Sequence, residues 1–181
     1  MASGVRNRLI LVTGGARSGK SEFAERLVCS ASERRCYIAT APVLDEEMAD
    51  RVRRHQERRA QQGWMNLEEQ LELPRALRQA VEMGAQAILI DCLTLWINNL
   101  LFHHPDFGEA QMQTETEQLL TTATALPATV VMVISEVGLG LVPENRLGRI
   151  FRDCSGRCAQ MVAKAADEVH LVVAGIPWRL K

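Results

Sequence analysis

The chain has 181 residues, 47% of them hydrophobic and 24% charged, which is enough for one well-buried core and too short for two comfortable domains. A formal net charge of −1, with no run of Lys or Arg standing apart from neighbouring acids, argues against a nucleic-acid footprint and for a small-molecule partner. Five cysteines, Cys29, Cys36, Cys92, Cys154 and Cys158, form no C-x-x-C pair, so a disulfide framework or zinc site is not expected and reduced core thiols are.

Residues 1–8 are polar and read as a disordered tail before a single catalytic domain, 9–181. The apolar run that follows them is too short for a signal peptide or a membrane span, so a cytoplasmic protein is expected.

Leu9 to Thr13 reads as a buried strand, and Glu22 to Val28 as a helix with Phe23, Ala24, Leu27 and Val28 on one face. Between them, Gly14-Gly15-Ala16-Arg17-Ser18-Gly19-Lys20-Ser21 fits G-x-x-x-x-G-K-[ST], the phosphate-cradling loop. Glycines let successive backbone N–H groups curl around phosphate oxygens. Lys20 reaches the β and γ phosphates, the Ser21 hydroxyl is placed to ligate Mg²⁺, and the helix adds its positive end.

Arg35 to Thr40 reads as a second strand, ended by Ala41-Pro42. A long helix is expected from Leu44 to about Gln62, acidic at its start and rich in arginine after it, as the helix dipole favours. Met48, Val52 and His55 fall on one face of it, with Arg51 one turn before the imidazole. Read from the residues alone, His55 is either a half-buried histidine satisfied by a backbone carbonyl or a nucleophile toward phosphorus.

Pro74 to Met83 is a further helix, stopped by Gly84. Ala85 to Asp91 reads as a buried parallel strand ending in an acid, like a Walker B strand. Asp91 then either holds Mg²⁺ or caps the helix Leu93 to Phe102. His103 and His104 lie in a break, and Glu109 to about Ala125 is an amphipathic helix.

Thr129 to Ile134 is another buried strand, running into Ser135-Glu136-Val137-Gly138-Leu139-Gly140, where Glu136 either orients a reactant or anchors the loop. Pro143 and Glu144 suit the start of a helix to about Ala166, along which Arg146, Arg149 and Arg152 either form a solvated face or reach an anionic substrate. Glu168 to Val173 is the last strand of the series. A turn at Gly175-Ile176-Pro177 is expected to lead into a short edge strand, Trp178 to Leu180. Alternating strands and helices call for an α/β fold with a mainly parallel sheet covered on both faces and ligands at the strand C-terminal ends.

Several blocks together are more specific than the phosphate loop. They are Thr13 to Ser21; Tyr37-Ile38-Ala39-Thr40-Ala41; Asp45-Glu46-Glu47-Met48 with Arg51 and His55; Asp91-Cys92-Leu93-Thr94-Leu95-Trp96 with Asn99; and Ser135 to Gly138 through Pro143 to Arg146. In this order, over about residues 9–175, the chain resembles the bifunctional adenosylcobinamide kinase/adenosylcobinamide-phosphate guanylyltransferases of cobalamin (vitamin B12) synthesis.

The resemblance implies a P-loop NTPase-type, RecA-like fold and two reactions. A nucleoside triphosphate, ATP or GTP, phosphorylates the aminopropanol hydroxyl of adenosylcobinamide. GTP then gives its GMP to the enzyme, from which it passes to the cobinamide phosphate. It implies His55 as the GMP carrier, beside which Arg51 on the same helix face could neutralise phosphate charge, and Ala39, Thr40, Ala41, Gln56, Glu57, Arg58, Arg59, Glu68 and Asp91 in or near the nucleotide site. It also implies a homotrimer. His55 follows Arg54, which leaves a single candidate nucleophile. Two other functions compete with this reading: a kinase of another small molecule on the same loop, and a nucleotide-binding regulatory module with little turnover.

Overall fold

The computed structural model describes residues 7–42, 57 and 61–181. Its elements run β1 (Arg8–Gly14), α1 (Lys20–Ala31), β2 (Arg35–Ala39), β3 (Trp64–Glu68), α2 (Leu73–Glu82), β4 (Ala87–Asp91), α3 (Leu93–His103), α4 (Glu109–Ala125), β5 (Thr129–Ser135), α5 (Arg146–Ala165), β6 (Glu168–Val173) and β7 (Ile176–Arg179). The strands make one sheet in the order β3-β2-β4-β5-β1-β6-β7, parallel throughout except for β7, which is antiparallel to β6.

The central strands are near-continuous apolar runs because both of their faces are covered. On one face Ile10, Val12, Leu89, Val131 and Val133 pack with Ala24 and Val28 of α1. On the other, Leu11, Ile38, Ile90, Val130 and Met132 pack with residues of α2, α3, α4 and α5. In α2 the buried Leu73, Ala76, Leu77 and Ala80 recur at helical spacing. Each fully buried leucine contributes about 2 kcal/mol. Trp96 of α3 is wholly buried, and its indole N–H is satisfied by donating to the Leu71 carbonyl at 2.8 Å.

The structure corrects the sequence reading in several places. Trp64–Glu68 is a strand, parallel to β2 with Trp64 beside Arg35 and Glu68 beside Ala39. Only Trp64 in it is buried, so no apolar run announces it. Helix α5 starts at Arg146 and not at Pro143: Asn145 caps it by accepting from the Gly148 N–H at 2.6 Å. The final turn is made by Ala174 and Gly175, with φ of 52° and 81°, so Ile176 and Pro177 already belong to β7. Cys29 is exposed and Cys92 half-buried, so the core thiols are Cys36, Cys154 and Cys158.

Arg8 opens β1, and Asn7 donates to the Thr124 carbonyl. The expected helix from Leu44 to Gln62 falls mostly outside the described residues, of which Glu57 and Gln61 are helical. Among the described residues no helix is long and apolar enough to cross a membrane.

Candidate active site

The strand register gathers the expected site residues at one edge of the sheet. Gly14 lies beside Ser135, Ala39 beside both Glu68 and Asp91, and Asp91 beside Val133. All of these are at or near the C-terminal ends of parallel strands, where an open α/β sheet binds its ligands.

The loop from Gly14 to Ser21 leaves β1 and enters α1 directly. A Cβ on Gly14 would lie 2.4 Å from the Val172 carbonyl oxygen, so only glycine fits where β1 meets the end of β6. Gly19 has φ of 90°, the left-handed region that glycine enters without steric cost, and is the N-cap of α1 with no side-chain cap. The first N–H groups of that helix are therefore left for an external acceptor, the arrangement that binds phosphate. The turn after β6 buttresses the loop: Gly175 N–H donates to the Ser18 carbonyl at 2.8 Å. That support was not read from the sequence, because the two segments are far apart in the chain.

Within the loop Gly15, Ala16 and Arg17 are exposed, and Arg17 has φ of 55°. Ser18 is buried, and its hydroxyl is without a hydrogen-bond partner among the described residues. Lys20 folds over the loop and donates to the Gly15 carbonyl at 3.0 Å. Ser21 is half-buried in the first turn of α1.

Two carboxylates stand near the loop. β5 lies between β1 and β4, so the backbone of Asp91 is two strand spacings, roughly 10 Å, from that of Val12, two residues before Gly14. Alternation along β4 puts Asp91 on the face of Leu89, the face that α1 covers, and α1 packs across both β5 and β4. The Asp91 side chain thus faces the side on which Ser21 starts the helix. Its Oδ2 accepts from the Tyr37 hydroxyl at 2.9 Å. Helix α3 is capped by Cys92 instead, so the capping role considered for Asp91 is excluded. Glu136, at the end of the intervening β5, is tied to the loop twice: its N–H donates to the Gly14 carbonyl at 3.0 Å, and its Oε1 accepts from the Thr13 hydroxyl at 2.9 Å.

The floor beside Asp91 is a polar clasp. Thr40 Oγ1 donates to the Cys92 carbonyl and accepts from the Cys92 N–H, both at 2.8 Å. Buried Asn99 donates to the Thr40 carbonyl at 2.9 Å and the Gln70 carbonyl at 3.2 Å. One side chain of α3 therefore holds the ends of β2 and β3 in place. The Cys92 thiol is pushed up by burial and by the Asp91 charge, which keeps it protonated and not a nucleophile.

Other predicted residues divide clearly. Ala39 and Ala41 are half-buried at the end of β2, and Glu68 is exposed at the end of β3, on the same edge. Glu57 is exposed. His55, Gln56, Arg58, Arg59 and Arg51 lie outside the described residues. Arg149 donates to the Pro143 carbonyl and Arg152 to the Gly138 carbonyl, so both arginines hold the β5–α5 loop.

A Mg²⁺ ion fits this donor set. The Ser21 hydroxyl and the Asp91 carboxylate are hard oxygen ligands on the α1 side of the sheet, where Asp91 Oδ2 is engaged by Tyr37; Thr13, which holds Glu136, lies on the opposite face with Leu9 and Leu11.

A solved KaiC-like protein, PH0186 from Pyrococcus horikoshii OT3, has the same fold with a TM-score of 0.55 at 14% identity, covering 91% of this chain and 70% of that one. The chain is 41% identical to the bifunctional adenosylcobalamin biosynthesis protein CobU of Escherichia coli K12, over 96% of this chain and 99% of that protein. It is 43% identical to the protein of the same name in Salmonella typhimurium LT2, with the same coverage. It is 42% identical to bifunctional adenosylcobalamin biosynthesis protein CobP of Pseudomonas aeruginosa PAO1, over 94% of this chain and 96% of that one. Residues 10–180 match the family described as cobinamide kinase / cobinamide phosphate guanyltransferase, and with relatives this similar along nearly their whole length the chain belongs to that family.

Proposed function

We propose that this protein carries out both reactions of its family, phosphorylating adenosylcobinamide and then joining GMP to the product. The observation that carries this reading is the convergence of the uncapped start of α1, Lys20, Asp91 and Glu136 on one sheet edge. Phosphoryl transfer is mostly positioning and electrostatics, and this edge supplies both.

In the kinase step the substrate hydroxyl oxygen bonds to the γ-phosphorus, the bridging P–O bond breaks, and nucleoside diphosphate leaves. Backbone N–H groups of the loop and Lys20 hold the phosphates and meet the developing charge. Glu136, fixed by Thr13 and by its own N–H, stands where it can orient the attacking hydroxyl and accept its proton. Mg²⁺, held by Ser21 with Asp91, would neutralise phosphate charge there.

In the second reaction a ring nitrogen of neutral His55 bonds to the α-phosphorus of GTP and pyrophosphate leaves. A phosphate oxygen of cobinamide phosphate then takes the GMP and frees the histidine. Sequence resemblance supports His55 in this role, with Arg51 against the phosphate charge and Gln56, Glu57, Arg58, Arg59 and Glu68 around the nucleotide. We place the protein in the cytoplasm as a homotrimer, the latter testable by sedimentation.

The deciding experiment is incubation with Mg²⁺ and GTP labelled at the α-phosphate, followed by denaturation and measurement of acid-labile, base-stable label on the chain. Label that disappears in His55→Ala is expected. A His55→Ala protein that makes adenosylcobinamide-GDP at the normal rate overturns the covalent route through His55, whereas wild-type protein that takes up no label leaves a phosphate-loop kinase.

A further inference from the structure

We infer that the cleft between the start of α4 and the middle of α5, roofed by Gly138, receives the amide-bearing edge of the corrinoid substrate. The inference rests on the corrinoid activity proposed above and assigns that substrate a site.

Three observations carry it. First, the cleft adjoins the catalytic edge. Gly138 is two residues, about 7 Å of chain, from Glu136, whose N–H is bonded to Gly14 of the phosphate loop. Arg152 spans from α5 to the Gly138 carbonyl at 2.9 Å and fixes the roof. The cleft lies on the α5 side of the sheet and Asp91 on the α1 side, so nucleotide and acceptor would approach the same edge from opposite faces.

Second, its chemistry is charge-balanced. Arg152 and Arg157 are matched by Glu109 and Asp153, with Gln160 beside them, in a space of about 520 Å³. Balanced charge does not select a phosphate or another anion. It offers donors and acceptors together, which suits neutral carboxamides, each both donor and acceptor. Adenosylcobinamide carries such carboxamides around its ring. The volume takes the arms along one edge of the ring and not the whole molecule. Leu139, Leu141 and Val142, which follow Gly138 in the chain, are exposed at 87%, 97% and 63% and offer apolar surface on the same loop.

Third, Gly156 sits inside α5 facing the cleft, and a Cβ there would meet nothing within 4 Å. Packing does not require a glycine at this position, although it weakens a helix interior. A bare backbone on the cleft wall lets a ligand approach closely.

The test uses the full-length protein. Binding of adenosylcobinamide is followed by the visible absorption of the corrin, and KM for adenosylcobinamide is measured beside KM for GTP, in wild type, Gly156→Leu and Gln160→Ala. Gly156→Leu fills the cleft, while Gln160→Ala removes a polar contact without filling space, so a poorly folded leucine variant does not shelter the proposal. The expected result is corrinoid affinity weaker by about tenfold or more in each variant, as for loss of one or two polar contacts, with KM for GTP and guanylylation of the chain as in wild type. Unchanged corrinoid affinity in both variants overturns the cleft assignment and leaves the proposed function intact. Wild-type protein that binds no adenosylcobinamide overturns both. A change in sedimentation on Gly156→Leu makes the cleft a contact between copies of this chain and also overturns the assignment.

Discussion

The Tyr37 hydroxyl donates to Asp91 Oδ2 at 2.9 Å, joining β2 to β4 just below the catalytic edge. Tyr37 is nearly buried, and its ring meets Trp64 edge-on at 6.2 Å between centroids, so the donor is held by packing on β3 as well as by its own strand. The bond fixes the orientation of the Asp91 carboxylate on the α1 side of the sheet.

Tyr37→Phe keeps the ring packing and removes only that bond. The expected costs are about 1 kcal/mol of stability and a Tm lower by about 2–4 °C. Mg²⁺ half-saturation of the kinase step should rise by about tenfold, because Asp91 loses its orienting partner. Titration of the initial rate with Mg²⁺ checks this, and an unchanged Mg²⁺ dependence would remove Asp91 from the metal site.

Lys20→Ala is expected to fold normally, since among the described residues the side chain makes a single bond, to the loop carbonyl of Gly15. Phosphoryl transfer should fall by about 10²–10³-fold, the scale of losing one preorganised charge at the transition state. Circular dichroism beside kinase kinetics separates the two effects; a variant with near-normal turnover would count against the loop as the γ-phosphate site.

Asn99→Leu leaves the carbonyls of Thr40 and Gln70 without their buried donor. We expect a loss of about 3 kcal/mol, read as a fall in Tm of about 6–12 °C, and weaker nucleotide binding as the ends of β2 and β3 loosen. Calorimetry with and without GTP measures both quantities.

Glu69 supports the loop between β3 and α2. Burial raises its pKa, but hydrogen bonds from the Leu71 and Glu72 N–H groups and the charge and hydrogen bond of Arg75 outweigh this and hold it below its usual value of 4.5. A carboxyl depressed in the folded state contributes stability that is fully present above the unfolded pKa and is lost as pH falls through the folded one. Stability should therefore decline below about pH 4.5, and Glu69→Gln should flatten that part of the profile while lowering stability at neutral pH. Denaturant midpoints measured from pH 3 to 7 decide it.

The local elements were legible in the sequence because their causes are local. Apolar runs mark β1, β4 and β5, the glycines and Lys20 mark the phosphate loop, and Pro74 and Gly84 bracket α2. Strand β3 was missed because an edge strand with one buried residue lacks that signal. Helix α5 was misplaced because Pro143 and Glu144 imitate a helix start, while the actual cap depends on the Asn145 side chain reaching Gly148.

By itself the sequence determined the family, the nucleotide loop and the residue types available to the site, since each of these is written in adjacent residues. Tertiary structure alone decided which of them meet. Strand order puts β5 between β1 and β4, so Glu136, far along the chain from the loop, is bonded to Thr13 and Gly14, and Asp91 is one strand further away. The turn at Gly175 supports Ser18, and Asn99 joins Thr40 to Gln70, for the same reason. Hydrogen bonds between residues distant in sequence follow from the register and layering of the whole sheet, which no local pattern encodes.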